Sequence, residues 1–129
     1  MLELTIKEKT YSFRFGMGFM REIDKQSYTI VENTNVKKNT GYQFAIADLY
    51  DKNPLGLVDI LLVANKTEQP RVNRDLLDKY IDEECEDVAA LCDEVLDFLK
   101  QGNATKKQTE DILEMIEREI QKQKEAGNL

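Results

Sequence analysis

The sequence predicts an α+β domain that is mainly helical, an N-terminal β-hairpin followed by about six helices. Three observations predict it. Apolar and polar side chains alternate from Leu2 to Phe15, the period of strands, and then recur every three or four residues along most of the remaining chain, the period of helices. Breakers at Asn53-Pro54, Pro70 and Gly102 divide the helical part into short pieces. The length of 129 residues suits one core, because folding at that size hides roughly two-thirds of the surface an unfolded chain exposes.

Leu2, Leu4 and Ile6 share one face of the first strand, Lys7–Lys9 make a polar turn, and Tyr11, Phe13 and Phe15 share one face of the second. A lone hairpin is marginal in water, so helices must cover this aromatic face. Gly16 and Gly18 mark the corner. Met17, Phe19, Met20 and Ile23 then follow helical spacing, while Arg21, Glu22, Asp24 and Lys25 face out. Ser27–Thr40, with two Asn-Thr pairs and two lysines, reads as a loop, and a short strand through Tyr28–Val31 stays open. Tyr42–Tyr50 carries the stripe Tyr42, Ala45, Ile46 and Leu49. Asn53-Pro54 stops that helix and starts the next, since proline is tolerated in a first helical turn.

Leu55–Ala64 is apolar nearly all round, the pattern of a central helix buried on most sides. Asp59 inside it is expected as a buried carboxylate that caps a neighbouring helix or meets an Arg or Lys. Asn73 can cap a helix through Leu76, Leu77, Tyr80 and Ile81. After the acidic bend Asp82–Asp87, Cys85, Val88, Cys92, Val95 and Leu99 recur at helical spacing until Gly102. Thr105 and Gln108 fit the two ends of a capping box for the last helix. There Ile112, Ile116 and Ile120 form a thin apolar row flanked by Leu113 and Met115, amid charged and amide side chains. Residues 1–103 therefore read as the globular domain, and residues 104–129 as a C-terminal helix that protrudes or meets a partner. Ile112, Leu113, Ile116 and Ile120 are the candidate partner-binding residues. The competing reading folds the row back onto its own domain.

The net charge of −7 is concentrated: residues 75–100 carry two basic against ten acidic side chains, whereas residues 1–40 carry seven against five. Such a face repels phosphate backbones and anionic lipid, so neither nucleic acid nor a membrane surface is an expected partner. The longest apolar run is interrupted by Asp59 and far too short for a bilayer span, and the first residues alternate as a strand does, unlike a signal peptide. Two cysteines seven residues apart on one helix would stand about 10.5 Å apart, too far for a disulfide, which fits a reducing cytosol.

Little in the chain suggests a reaction. Histidine is absent, which removes the commonest general base and metal ligand. Cys85 and Cys92 sit among carboxylates that raise a thiol's pKa. Gly16-Met17-Gly18 has Arg21 where a third glycine would stand and lacks the Lys-Ser/Thr of a phosphate loop. The acidic bend lacks the spacing of a calcium loop. No catalytic, cofactor-binding or metal-binding residue is predicted, and the chain reads as no enzyme.

The ordered set ELTIKEKTYSFRFGMGFMREID, NPLGLVDILLVAN, PRVNRDLLDKYIDE and EDVAALCDEVLDFLKQGNATKK, covering about residues 2–107, resembles the tail assembly chaperones of long, non-contractile-tailed bacteriophages of Gram-positive hosts. Phe15–Asp24 and Leu99–Thr105 carry most of the likeness. The resemblance implies a non-enzymatic protein that coats the tape measure protein while the tail tube polymerises around it. It also implies contact with the tail tube protein, a place in the host cytoplasm, and absence from the finished virion. Self-association into oligomers is expected from charge, the acidic helix of one copy meeting the mildly basic N-terminal portion of another. The family makes a short and a longer frameshifted product, and this chain resembles the short one. The alternative is a small acidic adaptor or inhibitor that binds a single protein partner.

Overall fold

Strand β1 (Leu2–Ile6) pairs antiparallel with β2 (Lys9–Phe13), Leu2 opposite Phe13 and Ile6 opposite Lys9, in a computed structural model that describes residues 1–127. Alternation does what it predicts: Leu2, Leu4, Ile6, Tyr11 and Phe13 are buried on one face. The turn is shorter than expected. Lys7 and Glu8 alone make it, both in the left-handed region (φ 50° and 71°), the backbone of a two-residue hairpin turn. Lys9 is consequently paired, and Phe15 lies beyond the strand, where its ring packs edge-on against Phe19 (5.1 Å between centroids) and against Phe98 (6.0 Å).

Helix α1 (Met17–Asp24) buries Phe19 and Ile23. Where the sequence reads as a loop with a short strand at Tyr28–Val31 left open, that strand forms as β3 (Tyr28–Ile30) and pairs with an unexpected β4 (Lys37–Asn39) in a second hairpin. Every residue from 28 to 39 is exposed, so no buried face imposes the alternation that would have revealed both strands. Helix α2 (Gly41–Tyr50) then returns against α1 at very close range. A Cβ on Gly41 would fall on the Ile23 carbonyl oxygen, and the Tyr42 N–H donates to the Asp24 carboxylate at 3.2 Å.

Helix α3 (Pro54–Asn65) is the central one, capped by the Asn53 side chain. Leu57, Ile60 and Leu61 are essentially inaccessible. Asp59 meets an arginine, as expected, but is not buried. It is half-exposed, because its side chain points along the one strip of α3 open to solvent, and it pairs there with Arg74 at 2.7 Å. At the end of α3, Asn65 is fully buried and satisfied: its amide donates to the Ser12 carbonyl (2.9 Å) and the Pro70 carbonyl (3.2 Å), and its oxygen accepts from the Val72 N–H (2.7 Å). With the Arg14 N–H donating to the Ala64 carbonyl (2.8 Å), this residue locks β2 to the helical layer.

Helix α4 (Arg74–Lys79), capped by Asn73, runs into a π-helical turn (Tyr80–Glu84). Helix α5 (Val88–Gln101) begins afresh, with the Asp87 carboxylate accepting from the Ala90 N–H at 2.9 Å. Cys85 thus lies between helices and shares none with Cys92, a correction to the single-helix reading. Both thiols are free. Helix α6 (Lys106–Gly127) closes the described chain, and the sequence's last residues, Asn128 and Leu129, lie outside it. Among the described residues, the buried apolar core ends at Leu99. Among the described residues, no helix is long and apolar enough to cross a membrane.

Candidate functional site

Helix α6 stands on a polar joint. The capping box expected of Thr105 and Gln108 is replaced by something else: the Thr105 hydroxyl donates to the Leu99 carbonyl (2.6 Å), one of the carbonyls left without a partner at the end of α5. The Thr109 hydroxyl donates to the Thr105 carbonyl (2.7 Å). Because its proton is committed there, Thr109 accepts from the Tyr42 hydroxyl, 2.7 Å away. One chain of hydroxyls therefore ties α2, α6 and the end of α5 together. Burial, partly opposed by the Thr109 hydrogen bond, pushes the Tyr42 phenol up to about 12.

From that joint the helix runs outward. Twenty-two residues span about 33 Å. Ile112, Leu113 and Ile116 are half-buried against the core, so the first part of the apolar row seats on the chain's own domain. Ile120 comes one turn later, and residues 121–127 are fully exposed. Between α6 and α2 lies an open groove of about 480 Å³, bounded by Gln43, Asp51, Met115, Ile116, Glu119, Ile120 and Gln123. Its floor is apolar and its rim carries two carboxylates. The structure thus brings Ile116 and Ile120 together in a concave surface, adds Met115, and leaves Ile112 and Leu113 outside it. Gln43 on α2 and Asp51 at its C-cap carry no sequence signal that would attach them to this groove.

A second hollow of about 530 Å³ surrounds the corner before α1, lined by Arg14, Met17, Phe19, Arg21, Lys66 and Glu68 among others. Most of its charge is internally matched, Arg14 with Glu68 (3.3 Å) and Lys66 with Glu22 (3.9 Å). Gly16 and Gly18 face open space and approach no other backbone.

The acidic bend is a solvent face with two structural members. Asp87 caps α5, and the Glu84 carboxylate accepts from the Lys7 N–H (3.3 Å) at the tip of the first hairpin. Asp82, Glu83 and Glu86 are exposed and have no ion-pair partner among the described residues. The Cys92 thiol is held above its usual range, by burial first and with nearby Asp93 contributing, so burial outweighs the carboxylates that the sequence emphasised. Among the described residues, no group of three or more Cys, Asp and Glu side chains is arranged to hold a metal ion.

These features define a small helical α+β domain whose surface offers grooves and charged faces suited to other proteins. Residues 3–114 match the family described as phage tail assembly chaperone protein, TAC, and the chain belongs to that family. Comparison with curated proteins and with solved structures gave no match.

Proposed function

We propose that this chain is a non-enzymatic chaperone that binds and coats the tape measure protein during tail tube assembly, in the host cytoplasm and without entering the virion. Membership of the tail assembly chaperone family over residues 3–114 carries the reading. The groove between α2 and α6 supports it: an apolar floor with an acidic rim suits an amphipathic helix bearing lysine or arginine beside its apolar stripe. Helix α6 forms the partner-binding arm, with Ile116 and Ile120 in contact with the client. Ile112 and Leu113 hold the arm to the domain and add only their outer edges. Many copies, each bound modestly, would hold an elongated client by avidity and release it as tube subunits compete.

Co-expression with tape measure segments tests this. Wild-type chain should co-purify with the client in large multi-copy complexes, and M115E/I120E should lose most of that capture while keeping wild-type circular dichroism. Both side chains lie outside the buried core, so folding is not the issue. A chain that ignores tape measure segments yet forms a one-to-one complex with another protein would replace this reading with the acidic adaptor.

A further inference from the structure

The second hairpin is an arm without a covering. From Tyr28 to Asn39 no residue is buried, and no hydrogen bond or ion pair links these residues to the rest of the described chain. Two strands of three residues with no core behind them gain almost nothing from folding alone. Yet the arm displays apolar side chains: Tyr28, Ile30 and Val36 are 54%, 52% and 60% exposed. Phe44, also exposed, shares a shallow hollow with Ser27 at the arm's foot, extending the apolar patch into α2. Lys37 and Lys38 stand on β4, Lys37 with its ammonium 4.7 Å from the centre of the Tyr28 ring.

Glu32 sits near the turn and leaves the arm a net +1, with both lysines together on β4, so the occupant must offer apolar contact and, beside β4, negative charge. Pairing of two such arms through β4 would set lysines against lysines, which disfavours a symmetric contact on that edge. The chain itself carries the complement. Around the π-helical turn, Asp82, Glu83 and Glu86 project without ion-pair partners, and half-buried Ile81 and Val88 leave apolar surface between them. This face neighbours the tip of the first hairpin, through the Lys7–Glu84 contact, whereas the arm springs from between α1 and α2.

We infer that the 28–39 arm docks on the acidic 81–88 face of a second copy of this chain, head to tail. A contact of that kind joins unlike surfaces, so an open assembly keeps one unused arm at one end and one unused acidic face at the other, and growth continues into filaments or closes into rings. The inference rests on the coating role proposed above and supplies its copy-to-copy contact, separate from the α2–α6 groove that holds the client.

Charge exchange tests it on the full chain, by sedimentation velocity over a range of concentrations at low salt. Wild type should form a ladder of growing assemblies. K37E/K38E alone and E83K/E86K alone should each need at least about tenfold more protein to associate, since like charges then face one another. Mixing the two variants should restore assembly, because each supplies the complement the other lacks. All four positions are exposed, and circular dichroism checks that both variants fold. A wild-type chain that stays monomeric, or variants that assemble as wild type does, would overturn the inference. So would variants that lose assembly but regain nothing on mixing. Pull-down of tape measure segments by the same variants is the separate readout for the client role. If K37E/K38E loses the client while self-assembly is unchanged, the arm's occupant is the client and the inference falls.

Discussion

Asn65 shows how one buried amide can hold two layers together. Its three hydrogen bonds reach β2, the Pro70 carbonyl and the Val72 N–H, and no water is needed to complete them. Asn65→Ala leaves buried backbone groups unpaired and should cost about 3 kcal/mol in urea unfolding. Asn65→Asp should cost at least as much at pH 7, because it turns a donor pair into an oxygen facing two carbonyls. An asparagine-to-aspartate change tolerated without loss would show that the amide is not the lock. Tyr42 is the second residue of this kind. Tyr42→Phe removes the donor to Thr109 and should cost about 1 kcal/mol at neutral pH. Its pH dependence has a definite sign. The unfolded phenol ionises near 10, while the folded one is pushed up to about 12, so the neutral form is the one folding favours. Ionisation of this group leaves stability untouched below about pH 10 and lowers it as the pH climbs towards 12, by up to about 3 kcal/mol, because burial opposes the ionised phenol. The phenylalanine variant should show a flatter decline of its urea midpoint between pH 9 and 11.5, a range set by those two values. Equal slopes would assign the alkaline loss to other groups.

Elements that bury a face were legible in the sequence, and elements that do not were not. The first hairpin and α1, α2, α3 and α5 each write their burial into the spacing of Leu, Ile, Phe and Val, and the structure places those side chains in the core. The second hairpin buries nothing, so only Asn33, which adopts the left-handed region at φ 63°, could have marked its turn. The exposure of Asp59, unlike its arginine partner, is hidden for the opposite reason. A run as apolar as Leu55–Ala64 hides the narrow strip facing solvent, and one carboxylate is enough to occupy it. The groove was half visible, since α6 shows its apolar row but the α2 residues facing it are polar and unremarked. Local turn chemistry also escaped the reading, because Lys7 and Glu8 occupy positive-φ positions that usually hold asparagine and glycine. That mismatch predicts a gain. K7N/E8G should stabilise the chain by about 1 kcal/mol, a rise in melting temperature of about 4 °C, since both residues suit the turn better. The Lys7 N–H that Glu84 accepts is a backbone group and survives the change. A lower melting temperature would mean that the left-handed turn is not what limits this hairpin.

For the molecule as a whole, stability is distributed unevenly, and the unevenness follows the proposed contacts. One contiguous core joins β1, β2 and α1 to α5, so these elements should unfold together. The second hairpin and the end of α6 stand outside it: residues 28–39 and 121–127 are exposed throughout. Local opening there exposes almost no additional apolar surface, so it needs far less free energy than global unfolding. Native-state hydrogen exchange on dilute monomer should therefore show rapid exchange at Tyr28–Asn39 and beyond Gln121, against strong protection at Ile46, Leu61 and Val95. Raising the protein concentration should slow exchange in the hairpin and around residues 81–88 together, while leaving the end of α6 fast. Adding a tape measure segment should slow α6 and the facing turn of α2 instead. Two ligands acting on two separate regions is the signature of a chaperone that grips its client with one surface and its neighbour with another. If concentration and client protected the same amides, one surface would be serving both, and client binding would compete with assembly where a coat requires that the two proceed together.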